Sequence, residues 1–206
     1  GRFRDNSYYS SLLLDLKGGE EVLLQDLTEH LESVGYDRSE PVSAPGQYSI
    51  RGGIVDIFPP EAAWPSRLEF LGDTIESIRE FDPSTQRSRH PQPLVRILPF
   101  SEHRRSAKTF TTLIEILAAR CPSQRAEPEW QAEYSAPFPG WEFFVPLAEP
   151  HARTLFSLFD KPIVVWDEPV ERMGQLRKTL ESLHGAYEEV RDVVPPRPSP
   201  QEIFLT

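Results

Sequence analysis

Three spacing regimes follow one another along the chain. Leu23, Leu24, Leu27, Leu31 and Val34 recur at three- and four-residue intervals, and Gly35 follows where a helix C-cap belongs. That pattern predicts a short amphipathic helix. From Gln47 the period becomes two: "QYSI", "GIVDIF", "SRLEFL" and "TIESIREF" read as strands, and Gly72-Asp73 suits the two-residue turn of a hairpin between the last two. Beyond Ser101, the positions Phe110, Leu113, Ile114 and Leu117 mark a second helix. Met173, Leu176, Leu180, Leu183 and Tyr187 mark a third, with the apolar "PIVVW" expected as a strand between the two. The stretch "VPPRPSP" reads as an extended connector rather than core, and no internal repeat is found. The expected class is α+β, a mixed α/β chain. Residues 1–37 are expected to be a connecting segment with a short helix, 38–100 a small antiparallel-sheet domain, and 101–206 a second α/β part.

Composition narrows the function classes. With 206 residues, 38% of them hydrophobic, the chain can bury one sizeable core or two small ones. The 32 acidic and 22 basic side chains leave a net charge of -10, which opposes non-specific attraction to DNA phosphates or an anionic membrane. Twenty-one prolines, about twice the usual share, favour short elements over a long-helix bundle. A single Cys121 cannot close an intrachain disulfide. No apolar run approaches the roughly 20 residues of a membrane span and the N-terminus does not read as a signal peptide, so the expected location is the cytoplasm.

Candidate chemistry is sparse. No Gly-rich loop ending in Lys-Ser/Thr is present to cradle phosphates, and no G-x-S-x-G elbow to present a nucleophile. His30, His90, His103, His151 and His184 are scattered without ligand spacing, so no metal site and no cofactor is expected. The carboxylates Asp56, Glu69, Asp73, Glu76, Glu80 and Asp82 read as a solvated sheet face and turn residues rather than an acid/base pair. No enzymatic reaction is expected of this chain.

A surface that could be bound remains. If Leu68 and Phe70 face the core, strand parity puts Arg67, Glu69 and Leu71 on the other, exposed face, with Arg67 and Leu71 about 13 Å apart. A guanidinium beside an exposed aliphatic group suits a protein interface, because Arg is weakly hydrated and grips a carboxylate with two parallel bonds. The alternative is that Arg67 is occupied by Glu69 or a cross-strand acid and does nothing else.

The segment "GQYSIRGGIVDIFPPEAAWPSRLEFLGDTIESIREFDPSTQRS" resembles the UvrB-homologous region at the N-terminus of the bacterial transcription-repair coupling factors (Mfd). The excision nuclease subunit UvrB shares the first half of this pattern. It usually has Arg-Gly-Asp where this chain has Arg51-Gly52-Gly53, and it lacks the "TQRS" of Thr85 to Ser88. Further on, "FPGWEFFVPLAEPHARTLFSLFDKPIVVWDEP" is similar to a segment that the coupling factors carry and UvrB does not. The resemblance spans roughly residues 20 to 190. It implies a small UvrA-binding domain followed by part of a degenerate, nucleotide-free UvrB-like α/β core. It also implies that the chain is a fragment: RNA polymerase and DNA would be met only through regions absent here, among them an ATP-driven DNA translocase. The implied UvrA-binding residues are Arg51 of the Arg-Gly-Gly turn, Arg67 at the opening of the next strand, and Leu71, where some members have Phe.

The leading expectation is therefore a UvrA-recruiting interaction module in transcription-coupled nucleotide excision repair. The alternative is a piece of a UvrB-like DNA-handling enzyme, although the aromatic-rich hairpin that UvrB inserts under a damaged strand has no counterpart and Tyr8-Tyr9 is too short to be one. A plain structural spacer is the third. Truncating Arg51 or Arg67 is expected to weaken UvrA binding with little effect on the fold, and Leu71→Ala to weaken it more mildly.

Overall fold

The computed structural model describes residues 3–121, 128–150, 153–191, 193 and 197–204. They form a mixed α+β fold in two compact units. One is Ser7–Arg105; the other joins the N-terminal end to the residues from Ser106 onward.

In the first unit the chain runs α1 (Asn6–Leu12), β1 (Leu14–Lys17), α2 (Leu24–Ser33), β2 (Asp37–Arg38), β3 (Gln47–Arg51), β4 (Ile54–Ile57), β5 (Ser66–Leu71), β6 (Thr74–Phe81), β7 (Ser88–Pro91) and β8 (Leu94–Ile97). Strands β2 to β7 make a six-stranded sheet in chain order. It is antiparallel except for the short parallel pair β2–β3. Strands β1 and β8 pair antiparallel as a separate ribbon.

The period-two pattern puts one face of this sheet on the core. Tyr48 lies opposite Ile57, and Val55, Leu68 and Ile78 line up across three strands. All five are buried with Leu27, Leu31 and Val34 from α2. Fully burying an aliphatic side chain of this size contributes about 1.5–3 kcal/mol, so the α2 stripe is what holds the helix on the sheet. Helix α2 ends where the sequence places its stop: Gly35 has φ +100, and a Cβ there would lie 2.9 Å from that of Ser101. Residues 1–37, expected to connect, supply Leu12, Leu16, Leu27, Leu31 and Val34 to this same core. Strand β1 escaped the sequence reading because four residues are too few to establish an alternation.

The second unit is helical where it is regular: α3 (Ala107–Arg120), α4 (Pro128–Tyr134), α5 (Val145–Ala148), α6 (Pro169–Val190) and α7 (Pro200–Ile203). Helix α3 follows its predicted stripe, burying Phe110, Leu113 and Leu117 against Phe138, Trp141 and Phe144. Ser106 caps it by accepting a hydrogen bond from the Thr109 amide at 3.1 Å. Buried Thr109 is satisfied in turn by donating its hydroxyl to Glu149 at 2.6 Å.

Two expectations fail in this unit. "PIVVW" is irregular rather than a strand, and Ile163 in it is 93% exposed. β-branched composition favours a strand only if a neighbour supplies the ladder bonds, and the described residues of this unit hold no strand, only the single bridge Phe3–Arg153. The third helix exists as α6, yet none of its residues is buried. Of "VPPRPSP", residues 194–196 lie outside the described residues; Pro198 and Pro200 in the remainder are buried, so that end is packed instead of serving as a bare connector. Among the described residues no helix is long and apolar enough to cross a membrane, and no group of three or more His, Cys, Asp or Glu is placed to hold a metal ion.

Candidate functional site

The face of the sheet opposite the α2 core carries the sequence-predicted arginines. Strands β3 and β4 are joined by Gly52-Gly53, and β5 and β6 by Gly72-Asp73. In each turn the first glycine alone has positive φ, +60 and +63, as a two-residue turn with glycine at its first central position requires. The antiparallel order of the strands brings both turns to the same end of the sheet. Arg51 thus sits at the mouth of one turn and Leu71 at the mouth of the other. Gly53 has a second reason to be glycine: it accepts a hydrogen bond from the Phe70 amide at 2.7 Å, and a Cβ on it would lie 2.7 Å from the Phe70 carbonyl oxygen. The Arg-Gly-Gly turn is therefore seated directly on the end of β5.

Asp56 is the centre of the arrangement. Its side chain is 0% exposed, and two arginines neutralise it. Arg67, its direct cross-strand neighbour, donates from Nε to Oδ1 at 2.7 Å and from Nη2 to Oδ2 at 2.8 Å, the bidentate geometry that only a guanidinium offers. Arg67 also donates from Nη1 to the carbonyl of Gln86 at 3.1 Å, and its guanidinium carbon lies 4.6 Å from the centre of the Phe81 ring. The hydrogen bond to Asp56 raises the Arg67 pKa above its ordinary value, against the opposing pull of burial. From the other side Arg51 donates a single bond, Nη2 to Oδ2 at 2.7 Å, and its Nε stands 3.7 Å from the exposed Glu40.

The two arginines are therefore not equivalent. Arg51 keeps 40% of its side chain exposed, whereas Arg67 keeps 13%. The expectation of Arg67 standing on an open face is not met: the cross-strand acid considered for it is present and is Asp56. Leu71 is 71% exposed, a lone aliphatic group at the hairpin mouth. Arg79, opposite Arg67 on β6, is exposed and adds a positive charge to this face. Glu69 is engaged by the Ser77 hydroxyl at 2.7 Å. Three arginines thus share this face with Asp56 and Glu69, and Glu40 stands beside Arg51.

Sequence reasoning missed Asp56, placing it among solvated carboxylates. The signal was available in "GIVDIF": a carboxylate inside a continuous apolar run belongs to a strand covered on both faces, where a charge must be paired. It also missed why "TQRS" follows β6. Asp82 accepts from the amides of Ser84 and Thr85 at 2.8 and 3.3 Å, bonds that hold its carboxyl below the usual range. Gln86, at φ +59, is tied to the carbonyls of Pro83 and Val42. That turn delivers the Gln86 carbonyl to Arg67.

Residues 14–103 match the UvrB interaction domain family. Over 204 residues, 96% of this chain and 18% of the relative, the sequence is 29% identical to the transcription-repair-coupling factor of Haemophilus influenzae. The corresponding protein of Bacillus subtilis is 42% identical over 84 residues, 41% of this chain and 7% of its own length. UvrABC system protein B of Cupriavidus pinatubonensis is 33% identical over 112 residues, 54% of this chain and 16% of that protein. The chain spans less than a fifth of the length of the curated relatives it matches.

Proposed function

We propose, on the premise that residues 14–103 are a UvrB interaction domain in a homologue of the transcription-repair coupling factors, that this chain is a protein-binding module of nucleotide excision repair. Its partner in this reading is UvrA, bound at the sheet face that carries Arg51, Arg67 and Leu71, in a small domain that the sequence places at residues 38–100. One observation carries the reading: the Arg51–Asp56–Arg67 cluster and the exposed Leu71 occupy one sheet face inside the matched segment. Such a face suits a partner that presents carboxylates around a small apolar recess. Arg can grip a carboxylate with two bonds, and a central aliphatic anchor gains from leaving water.

In this reading the module works in the cytoplasm and performs no reaction, and contacts to RNA polymerase and DNA belong to other parts of such proteins. The similarity to UvrABC system protein B supports the second reading, a piece of a DNA-handling enzyme. The net charge of -10 weighs against it. Titrating the purified chain against purified UvrA tests the first reading. A saturable complex that weakens in Arg51→Ala and in Leu71→Ala is expected. Absence of binding by the unaltered chain, or full affinity in both variants, refutes it.

A further inference from the structure

We infer that Asp56 is the positioning residue of this surface: locked by Arg67, it aims the Arg51 guanidinium at the partner, and Arg67 acts through Asp56 without touching the partner itself. The inference rests on the binding reading above, and it divides the labour among residues that the sequence treats alike.

The division follows from how each group is bonded. Both Asp56 oxygens are engaged, Oδ1 by Arg67 alone and Oδ2 by Arg67 and Arg51 together. A carboxylate with no exposed surface and three charge-assisted bonds has one orientation. Arg67 commits three of its five N–H donors within the chain, from Nε, Nη1 and Nη2, the Phe81 ring lies against the guanidinium, and only 13% of the side chain is exposed. Arg51 makes one hydrogen bond, to Asp56, with exposed Glu40 3.7 Å from its Nε, and remains the more accessible cation. A long side chain anchored at one corner loses less rotamer freedom on binding than a free one, so its contact gains affinity without any new partner group.

Charge points the same way. Asp56 is shielded from solvent with Arg67, whereas Arg51 has the exposed Glu40 beside it at 3.7 Å and keeps 40% of its side chain open, so Arg51 is the cation that a partner carboxylate can reach. A partner carboxylate that took the two parallel bonds of Arg67 would have to displace Asp56, leaving that buried carboxylate with the single bond from Arg51, which is unfavourable. Lys at position 67 would keep the charge but lose the two parallel bonds that fix Asp56.

Two measurements on the intact chain test this. Side-chain NMR of the free chain reads whether the Arg51 guanidinium rotates slowly. Slow rotation is expected in the unaltered chain, and fast rotation in both Asp56→Asn and Arg67→Lys. Slow rotation persisting in Arg67→Lys overturns the relay. Titration against UvrA then completes a double-mutant cycle: Arg67→Lys and Asp56→Asn should each weaken binding about tenfold or more when Arg51 is present, and less than about twofold in an Arg51→Ala background. Equal losses in both backgrounds would show that Asp56 and Arg67 act on the fold or on the partner directly. If Asp56→Asn fails to fold, Arg67→Lys carries both arms. If the unaltered chain does not bind UvrA, the proposed partner is wrong, and the relay is decided by the NMR arm alone.

Discussion

Arg51→Ala and Arg67→Ala should part company in stability, although the sequence gives no reason to separate them. Arg67 makes two of the three bonds to a carboxylate with no exposed surface, and its own side chain is 13% exposed. Removing one partner of a buried pair typically costs about 3–5 kcal/mol, because the remaining charge has no water to return to. Arg51 still reaches Oδ2 here, so about 2–4 kcal/mol is the reasonable expectation. The loss of the Phe81 contact adds to it in the same direction. Arg51 is 40% exposed and its partner keeps Arg67, so its removal belongs with surface pairs, at about 0–1 kcal/mol. For a unit the size of Ser7–Arg105, each kcal/mol moves the melting temperature by roughly 4–8 °C. Calorimetric melts should therefore show Arg67→Ala lower by about 8–30 °C and Arg51→Ala by about 8 °C or less. Urea titrations of the same samples should rank the variants alike. Equal melting temperatures for the two variants would refute the reasoning, since they would mean that Asp56 does not depend on Arg67.

Gly53→Ala should destabilise more than Gly52→Ala, because the new Cβ meets the Phe70 carbonyl at 2.7 Å whereas around Gly52 there is open space and the penalty is the φ of +60 alone; equal melts would contradict this. His30 titrates below its usual value, chiefly from burial and secondarily from Arg104, with a backbone bond to Leu12 opposing both. A depressed histidine binds its proton more tightly in the unfolded chain. Stability that it supports is thus complete above about pH 6.5 and declines as pH falls through the folded pKa. His30→Gln should flatten the melting-temperature profile over that window, and an unchanged slope would show that another group sets it. The purified chain should neither hydrolyse ATP nor bind random duplex DNA with micromolar, salt-sensitive affinity; phosphate release above a buffer blank, or such a titration, would contradict the respective expectation.

How far the sequence could be read tracks how local each signal is. The α2 stripe ends at a glycine with φ +100 and the β5–β6 hairpin turns on Gly72, so both are written within a dozen residues. The β3–β4 register is equally local, since a two-residue turn leaves one way to pair Arg51 with Ile54. The β4–β5 register is not. Residues 58–65 separate those strands, and their length does not dictate that Asp56 faces Arg67. The candidate face was legible as a set of residues, and the bond that ranks them was not. "PIVVW" fails for the opposite reason: its composition speaks plainly of a strand, but a strand is completed by a neighbour that lies elsewhere in sequence.

The buried triad also asks why a carboxylate occupies the middle of β4 at all. Replacing a buried ion cluster by apolar side chains of similar volume is often neutral or stabilising, and Ile54, Val55 and Ile57 show that this strand tolerates apolar residues on either side of Asp56. Stability alone therefore gives no account of Asp56. What an apolar residue could not do is hold a guanidinium at the mouth of a turn. Without Asp56, Arg67 would be largely buried without its carboxylate, and Arg51 would have only Glu40 at 3.7 Å to limit it. Asp56 turns two mobile cations into one fixed structural cation and one aimed at solvent. On the proposed reading, a face arranged that way is organised for a partner before the partner arrives.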